Sequence, residues 1–438
     1  MNPNDAYSGG ENFDLRKILL AGRNKSLAER TAFFEGFLQS LRERDEFLQM
    51  RCITSPADRE VNVLDPQTGC TRSMLMFGSN NYLGLANHPR VRERARKAIE
   101  EYGAGIGGPP LLNGYTALHR ELEERLAALK GTEDALIFSS GYGANVGLVT
   151  GLVGTRDIVL YDAYSHASFC DGITMAGVRS LHFRHNDVSG LERLLHRAAR
   201  ERSGDIFVGV EGVYSMDGDL APLDRLLPLC ESYGATLMLD DAHGTGVMGQ
   251  TGRGTAEHFG LEGRIPLTMG TFSKTFAMTG GFIAGSRSLV NYLRFFARSY
   301  MFSASLPPVT AATVLAGLDV IEEEPWLLTA LHENVEYATR GLRRLGFDVN
   351  PQGAIIPLRV PEGMDIRNAA RAFHERSIFV NSIEYPAVPI SQQRFRISLM
   401  ATHRKEDIDR LLEAVADVWA TAAIEEPADE ARTVPQAA

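Results

Sequence analysis

Cysteine is scarce and dispersed: Cys52, Cys70, Cys170 and Cys230 are the four in 438 residues, and no Cys-x-x-Cys pair occurs among them. Such spacing excludes a disulfide frame and a zinc site, and it points to free thiols in a reducing cytoplasm. Dense clusters of lysine and arginine are also missing. A formal charge of -10 and a pI near 5.6 argue against a nucleic-acid surface. The opening MNPNDAYSGGENFDLRK has no apolar core of the kind a signal peptide needs. The stretch Ala135–Gly154 carries no charge and has the length of a membrane span, yet its centre reads SSGYGAN. That centre divides it into a strand, a polar turn and a helix. A soluble, cytoplasmic chain with no integral membrane segment is expected, and internal repeats are absent.

A chain of 438 residues exceeds one simple core, so two domains or a large α/β domain with a satellite is expected. A hydrophobic fraction of 44% with 42 glycines is ordinary for a soluble enzyme. The unusual stretch is IPLTMGTFSKTFAMTGGFIA, Ile265 to Ala284, in which Lys274 is the one ionisable side chain although the whole chain is 23% charged. Two readings of Lys274 stand. Its stem crosses an apolar edge to water, or it is a desolvated amine whose lowered pKa suits it to form a Schiff base. Small polar residues around it, Thr271, Ser273 and Gly280-Gly281, are the kind that line ligand pockets.

In chain order, Phe33, Phe34, Phe37, Leu38 and Leu41 fall on one helical face, and a short strand then leads to Phe77. The turn-rich GSNNYLGLANHPRV precedes a charged helix, Val91 to Tyr102. The run GAGIGGPP (103–110) follows no clear strand and opens no helix, so it is neither a dinucleotide fingerprint nor a P-loop. A helix from His119 to Leu129 comes next. From Asp134 to Ser303, seven short runs (ALIFSS, DIVLYD, SLHFRH, IFVGVEG, ATLMLDD, PLTMGTF and GGFIAG) alternate with helical patterns. Alternation of this kind gives a mainly parallel seven-stranded sheet covered on both faces, with ligands at the carboxyl ends of its strands. SGYGAN, YSHAS, EGVYSMDGD, DDAHGTG and GTFSK each follow a strand. After Leu306-Pro307-Pro308 the pattern turns to a smaller α+β region. The expected division is an N-terminal arm and helix (1–75), a large domain (76–305), a small C-terminal domain (306–424) and a disordered acidic tail (425–438).

From Phe77 to the C-terminal helix, GTFSK, DDAHGTG, SHAS and their companions stand in an order that resembles the α-oxoamine synthases, pyridoxal-phosphate enzymes of the aspartate-aminotransferase fold, fold type I. The resemblance implies pyridoxal 5′-phosphate held by Lys274, with Asp240 on the pyridinium nitrogen, where a carboxylate keeps the ring an electron sink. It places His243 and Ser215 near the phenolic oxygen and His166 against the ring face. Gly141 and Tyr142, at a strand-to-helix turn, and the hydroxyls of Thr271 and Ser273 are implied for the phosphate. Ser303 of FSASLPP matches a position that reaches the phosphate from the neighbouring subunit, which implies a homodimer with shared sites. Arg396 matches the arginine that binds the amino-acid carboxylate, with Arg394 a nearby competitor. Asn81 and His119 are substrate-side candidates, and no metal is implied.

The implied reaction is a decarboxylative condensation of serine, alanine or glycine with an acyl-CoA or acyl carrier protein thioester. DDAHGTG reads most like 8-amino-7-oxononanoate synthases, whereas GTFSK, FSASLPP, GVYSM and FRHND read more like bacterial serine palmitoyltransferases. Many members carry Ser-Arg or Thr-Arg after the glycine run, where this chain has Pro109-Pro110. The expectation is therefore a serine palmitoyltransferase-like enzyme, with the oxononanoate synthase, a 2-amino-3-ketobutyrate CoA ligase or an aminotransferase as alternatives.

Overall fold

The structure, a computed structural model, describes residues 15, 20, 22–65 and 68–424. The expectations for the first residues of the chain and for 425–438 fall outside that range. The chain enters through the helix Leu27–Glu43, opened by a capping box in which Ser26 and Glu29 satisfy one another's backbone N–H groups. Phe37 and Leu41 are buried, but Phe34 stays exposed. Phe33, Phe37 and Leu41 repeat every four residues, and Phe34 lies a further 100° round the axis.

Short strands β1 (Cys52–Ile53), β2 (Glu60–Leu64) and β3 (Thr71–Met76) form an antiparallel ribbon. Helices Pro89–Tyr102 and Ala117–Lys130 then lead into the repeating region. Its strands are β4 (Asp134–Phe138), β5 (Ile158–Asp162), β6 (Arg179–Phe183), β7 (Ile206–Glu211), β8 (Ala235–Asp240), β9 (Leu267–Thr271) and β10 (Gly281–Gly285). They assemble into one seven-stranded sheet of order β4-β10-β9-β8-β7-β5-β6. All strands are parallel except β10, which runs against both β4 and β9. The link between β9 and β10, residues 272–280, contains no crossover helix, so the chain can only turn back antiparallel there. Every residue of β7, β9 and β10 is buried, as a sheet covered on both faces requires.

The helix Pro308–Glu323 is apolar nearly all round, is buried along its length and packs on Pro89–Tyr102 and Ala117–Lys130. Beyond it lie β11 (Ile355–Arg359), β12 (Ile378–Phe379), β13 (Asn381–Ile383) and β14 (Arg394–Ser398). Strands β11, β14 and β13 make an antiparallel sheet, while β12 joins β3 in parallel, Ile378 opposite Leu75. The segment after β3 is laced to the same region, since Ser398 N–H donates to the carbonyl of Phe77 and Ala401 N–H to that of Tyr82. The NNYLGL turn and β14 thereby share one frame. All four cysteines are unpaired. Among the described residues, no helix is long and apolar enough to cross a membrane.

Candidate active site

The carboxyl ends of the parallel strands and the start of the helix Gly141–Leu152 enclose a cavity of about 320 Å³. Its lining includes Ser139, Gly141, His166, Glu211, Asp240 and Lys274. Lys274 sits in the tight turn between β9 and β10. Ala277 N–H closes the turn on the Lys274 carbonyl at 2.8 Å, and the neighbouring Phe272 and Phe276 are buried. The amine faces this cavity and does not snorkel across an edge. Burial lowers its pKa to about 8, against the pull of the Asp240 and Glu211 carboxyls, which favour the charged form. A primary amine that is half neutral near pH 8 is a competent nucleophile toward a carbonyl.

One end of the cavity is built for an anion. The first intrahelical bond of Gly141–Leu152 runs from Ala144 N–H to the Ser140 carbonyl, so the N–H groups of Gly141 and Tyr142 precede the ladder. The Ser140 hydroxyl caps Gly143 N–H at 2.9 Å. The hydroxyls of Thr271 and Ser273 meet at 2.9 Å beside this turn; Ser303 is not part of the lining of its own chain's cavity, its hydroxyl lying 3.0 Å from that of Ser139. A side chain at Gly141 would place its Cβ 2.6 Å from the Thr271 hydroxyl, so only glycine leaves backbone and hydroxyl converging on one point. The Tyr142 ring is exposed at the mouth, its phenol bonded to Asp171.

Two adjacent carboxylates part company where β8 ends. Asp240, the last residue of β8, faces the cavity and accepts from Asn145 Nδ2 at 2.7 Å and Ala242 N–H at 3.0 Å. Asp241 points into the protein, where Lys130 at 2.8 Å and the Thr255 hydroxyl at 2.6 Å bind it in a buried ion pair. Asn145 also donates to the Ser168 hydroxyl, which in turn bonds His166 Nδ1 at 2.7 Å. Ser168 N–H donates to that same nitrogen, so Nδ1 is an acceptor and the neutral ring carries its proton on Nε2. Burial lowers the His166 pKa, consistent with that tautomer. His166 thus presents an N–H-bearing, uncharged imidazole to the cavity.

Beside the cavity lies a second cluster. His243 Nδ1 bonds the buried Tyr82 hydroxyl at 2.7 Å. Its pKa is driven well below the ordinary value by burial, then by the charges of Lys274 and Arg396. Arg396 donates from Nε to the Ser215 carbonyl at 2.7 Å and from Nη1 to Asn80 and Ser398. Its competitor Arg394 is 1% exposed and committed to Asp217 at 2.6 Å. Asn81 is buried, with its Oδ1 taken by Ala86 N–H and its Nδ2 left without a partner. His119 stands apart, spanning from Thr116 to the Leu306 carbonyl at 2.7 Å and steadying the segment that carries Ser303.

Sequence reasoning missed Glu211, Asn145, Ser168 and Tyr82. Glu211 is 5% exposed, opposes Asp240 in the β7–β8 register and has a pKa raised well above the carboxylate range by burial, then by the Asp240 charge. Burial thus favours its neutral form in the cavity wall. Its place at the head of EGVYSMDGD was a signal, as were Tyr82 within NNYLGL, Asn145 within SGYGAN and Ser168 within YSHAS.

The family model "Aminotransferase class I and II" matches residues 72–415, and the chain belongs to that family. Its relatives place it with the α-oxoamine synthases. It is 40% identical to a serine palmitoyltransferase of Bacteriovorax stolpii, over 86% of this chain and 88% of the relative. It is 41% identical to an 8-amino-7-oxononanoate synthase of Geobacter sulfurreducens, over 89% and 98%. Among solved structures, a serine palmitoyltransferase from S. paucimobilis with a bound PLP–myriocin aldimine superposes with a TM-score of 0.85 at 30% identity, covering 91% of this chain and all of that one. The residues here fit such a cofactor. An amine faces a cavity lined by a glycine-and-hydroxyl anion cradle and by a hydrogen-bonded carboxylate.

The divergence of the two aspartates is testable. Asp241→Asn should destabilise the protein by roughly 3–5 kcal/mol, because Lys130 is left buried without its partner. Asp240→Asn should leave the melting temperature nearly unchanged while turnover falls roughly a hundredfold or more. Thermal melts and steady-state rates on both variants decide it; an Asp241→Asn protein that melts normally but does not turn over reverses the assignment.

Proposed function

We propose that the protein is a PLP-dependent α-oxoamine synthase, a C-acyltransferase that joins a small amino acid to the acyl group of a thioester. The thiol and carbon dioxide leave, and an aminoketone is the product. The observation that carries the reading is the desolvated amine of Lys274 facing a cavity lined both by an anion cradle and by the Asp240 carboxylate. Family membership and the named relatives support it.

When bound, pyridoxal phosphate supplies an electron sink for charge developing at the amino-acid α-carbon. Lys274 would hold the cofactor and would move the proton at that α-carbon. Asp240, oriented by Asn145 and Ala242 N–H, keeps a proton on the ring nitrogen. His166, fixed by Ser168 as a neutral imidazole, would lie against the ring and add no charge there. His243 and Ser215 serve the phenolic oxygen, with Tyr82 holding the His243 ring. Gly141 and Tyr142 with Thr271 and Ser273 take the phosphate. Arg396 binds the amino-acid carboxylate, with Asn81 on the substrate side.

The acyl donor we assign is an uncharged, medium-to-long thioester, with serine, alanine or glycine as the amino acid, as in a serine palmitoyltransferase. The loop 103–114 contains no lysine or arginine, and its Leu112 is 82% exposed. Gly108 O accepts from Ser305 N–H at 3.0 Å, which seats this loop against the Ser303 segment. An uncharged, apolar rim favours an alkyl chain over one ending in a carboxylate. The 41% identity to an oxononanoate synthase favours the second reading, in which the chain ends in a carboxylate. Measured kcat/KM for palmitoyl-type against pimeloyl-type thioesters should favour the palmitoyl type by at least tenfold, about 1.4 kcal/mol in transition-state binding. A preference for pimeloyl thioester with alanine returns the protein to the second reading.

The protein is also proposed to work as a cytoplasmic homodimer with shared sites. Phe295, Phe296 and Phe302, each more than half exposed, form an aromatic surface next to Ser303 that a second subunit would cover. Heterodimers of Lys274→Ala with an inactive Ser303 variant should regain part of the wild-type rate. Verified heterodimers without activity would contradict shared sites.

A further inference from the structure

FRHND was noted above only as a likeness, yet its histidine occupies an unusual setting. His185 follows β6 and reaches two carboxylates on two different loops. Nδ1 lies 3.1 Å from Asp162 at the end of β5, and Nε2 lies 2.8 Å from Asp219. Asn186 Nδ2 spends its two hydrogens on Asp219 and the Leu220 carbonyl, so its 3.3 Å approach to His185 Nε2 is incidental. Both ring nitrogens therefore donate, which makes the ring an imidazolium. Its faces are closed by Tyr164, stacked at 4.3 Å, and by Tyr214, edge-on at 4.4 Å.

Each carboxylate anchors a loop of the site. Asp162 is fully buried and also accepts from Tyr164 N–H and Asn186 N–H, while Ser165 N–H donates to its carbonyl. The turn it fixes ends in His166. Asp219 closes the loop that begins at Tyr214, whose N–H donates to the Asp219 carbonyl. The far side of that loop is held by Arg394 on Met216 and Asp217, and by Arg396 on Ser215. His185 is thus the tie between the turn carrying His166 and the loop on which Arg396 rests.

We propose that His185 is a positioning residue whose imidazolium clamps Asp162 to Asp219, fixing His166 against the cofactor and, through the 214–219 loop, Arg396 against the substrate carboxylate. The part that concerns cofactor and substrate rests on the proposed function; the clamp itself does not. The groups facing the ring are Asp162 from β5, Tyr164 from the turn after it, and Tyr214 and Asp219 from the loop after β7. Burial lowers the His185 pKa, but the two carboxylates outweigh it and raise the value to about 9. A folded-state pKa raised above the unfolded one contributes stability that is complete below pH 6.5 and is lost as pH rises through about 9.

The test uses His185→Gln and, in case that variant folds poorly, Asp219→Asn, which opens one arm at the more exposed carboxylate. Melting of the cofactor-free protein is followed from pH 6 to 10, and PLP affinity is then measured by titration. The melting advantage of wild type over either variant should shrink as pH passes about 9; Lys274 titrates alike in all three and cancels. PLP affinity should weaken roughly tenfold, the scale of a lost charge-assisted bond, and amino-acid KM should rise while covalent capture by Lys274 persists. A melting difference constant across that range overturns the clamp, and unchanged PLP affinity and KM overturn the positioning role. Failure of the wild type to capture PLP at Lys274 would instead sink the proposed function.

Discussion

A primary amine held out of water is the constraint on which the rest of the site depends. Lowering Lys274 from 10.5 to about 8 corresponds to up to about 3 kcal/mol of differential interaction. In the cofactor-free protein this opposes folding in full below pH 8, where the folded chain must hold the charged amine out of water; it fades between pH 8 and 10.5, where folding releases the proton. The fold sustains that strain with the packed core of β9 and β10 and the buried Phe272 and Phe276 around the turn. Burial outweighs the carboxyls of Asp240 and Glu211, which pull the amine toward its charged form, and so leaves it reactive.

The geometry around that amine follows from the sheet. Six parallel strands deliver their carboxyl ends to one edge, and the loops leaving them carry His166, Glu211, Asp240 and Lys274. A helix start at the same edge adds free N–H groups, and close backbone contact between Gly281 and Gly141 brings that helix down onto β10; a Cβ on Gly281 would lie 2.6 Å from the Gly141 Cα. Arg396 arrives from another sheet. It is aligned because β3 and the NNYLGL turn are stitched to the C-terminal strands, so Tyr82 contacts both His243 and Arg396.

Much of this was legible from the residues. The seven strands announced themselves as short β-branched runs between helical patterns, and Lys274 as a lone charge in an apolar window. The antiparallel course of β10 was hidden because periodicity is blind to direction. Residues 378–383, IFVNSI, form one short apolar stretch in the sequence but divide into β12 and β13, which join two different sheets. Only long-range pairing with β3 and β14 decides that split. The separate fates of Asp240 and Asp241 depend on Lys130 and Thr255, remote in sequence. Glu211 looked like any strand-end acid, and only the β7–β8 register shows it buried beside Asp240.

The account stands or falls on the amine. Cofactor-free protein mixed with pyridoxal phosphate develops a visible, borohydride-reducible band as the cofactor is captured, and the initial rate can be followed from pH 6 to 11. The account predicts a rate that rises to half its plateau near pH 8 and a band that is lost in Lys274→Ala. A midpoint near 10.5, the value of an ordinary lysine, or a band that survives Lys274→Ala, would contradict it.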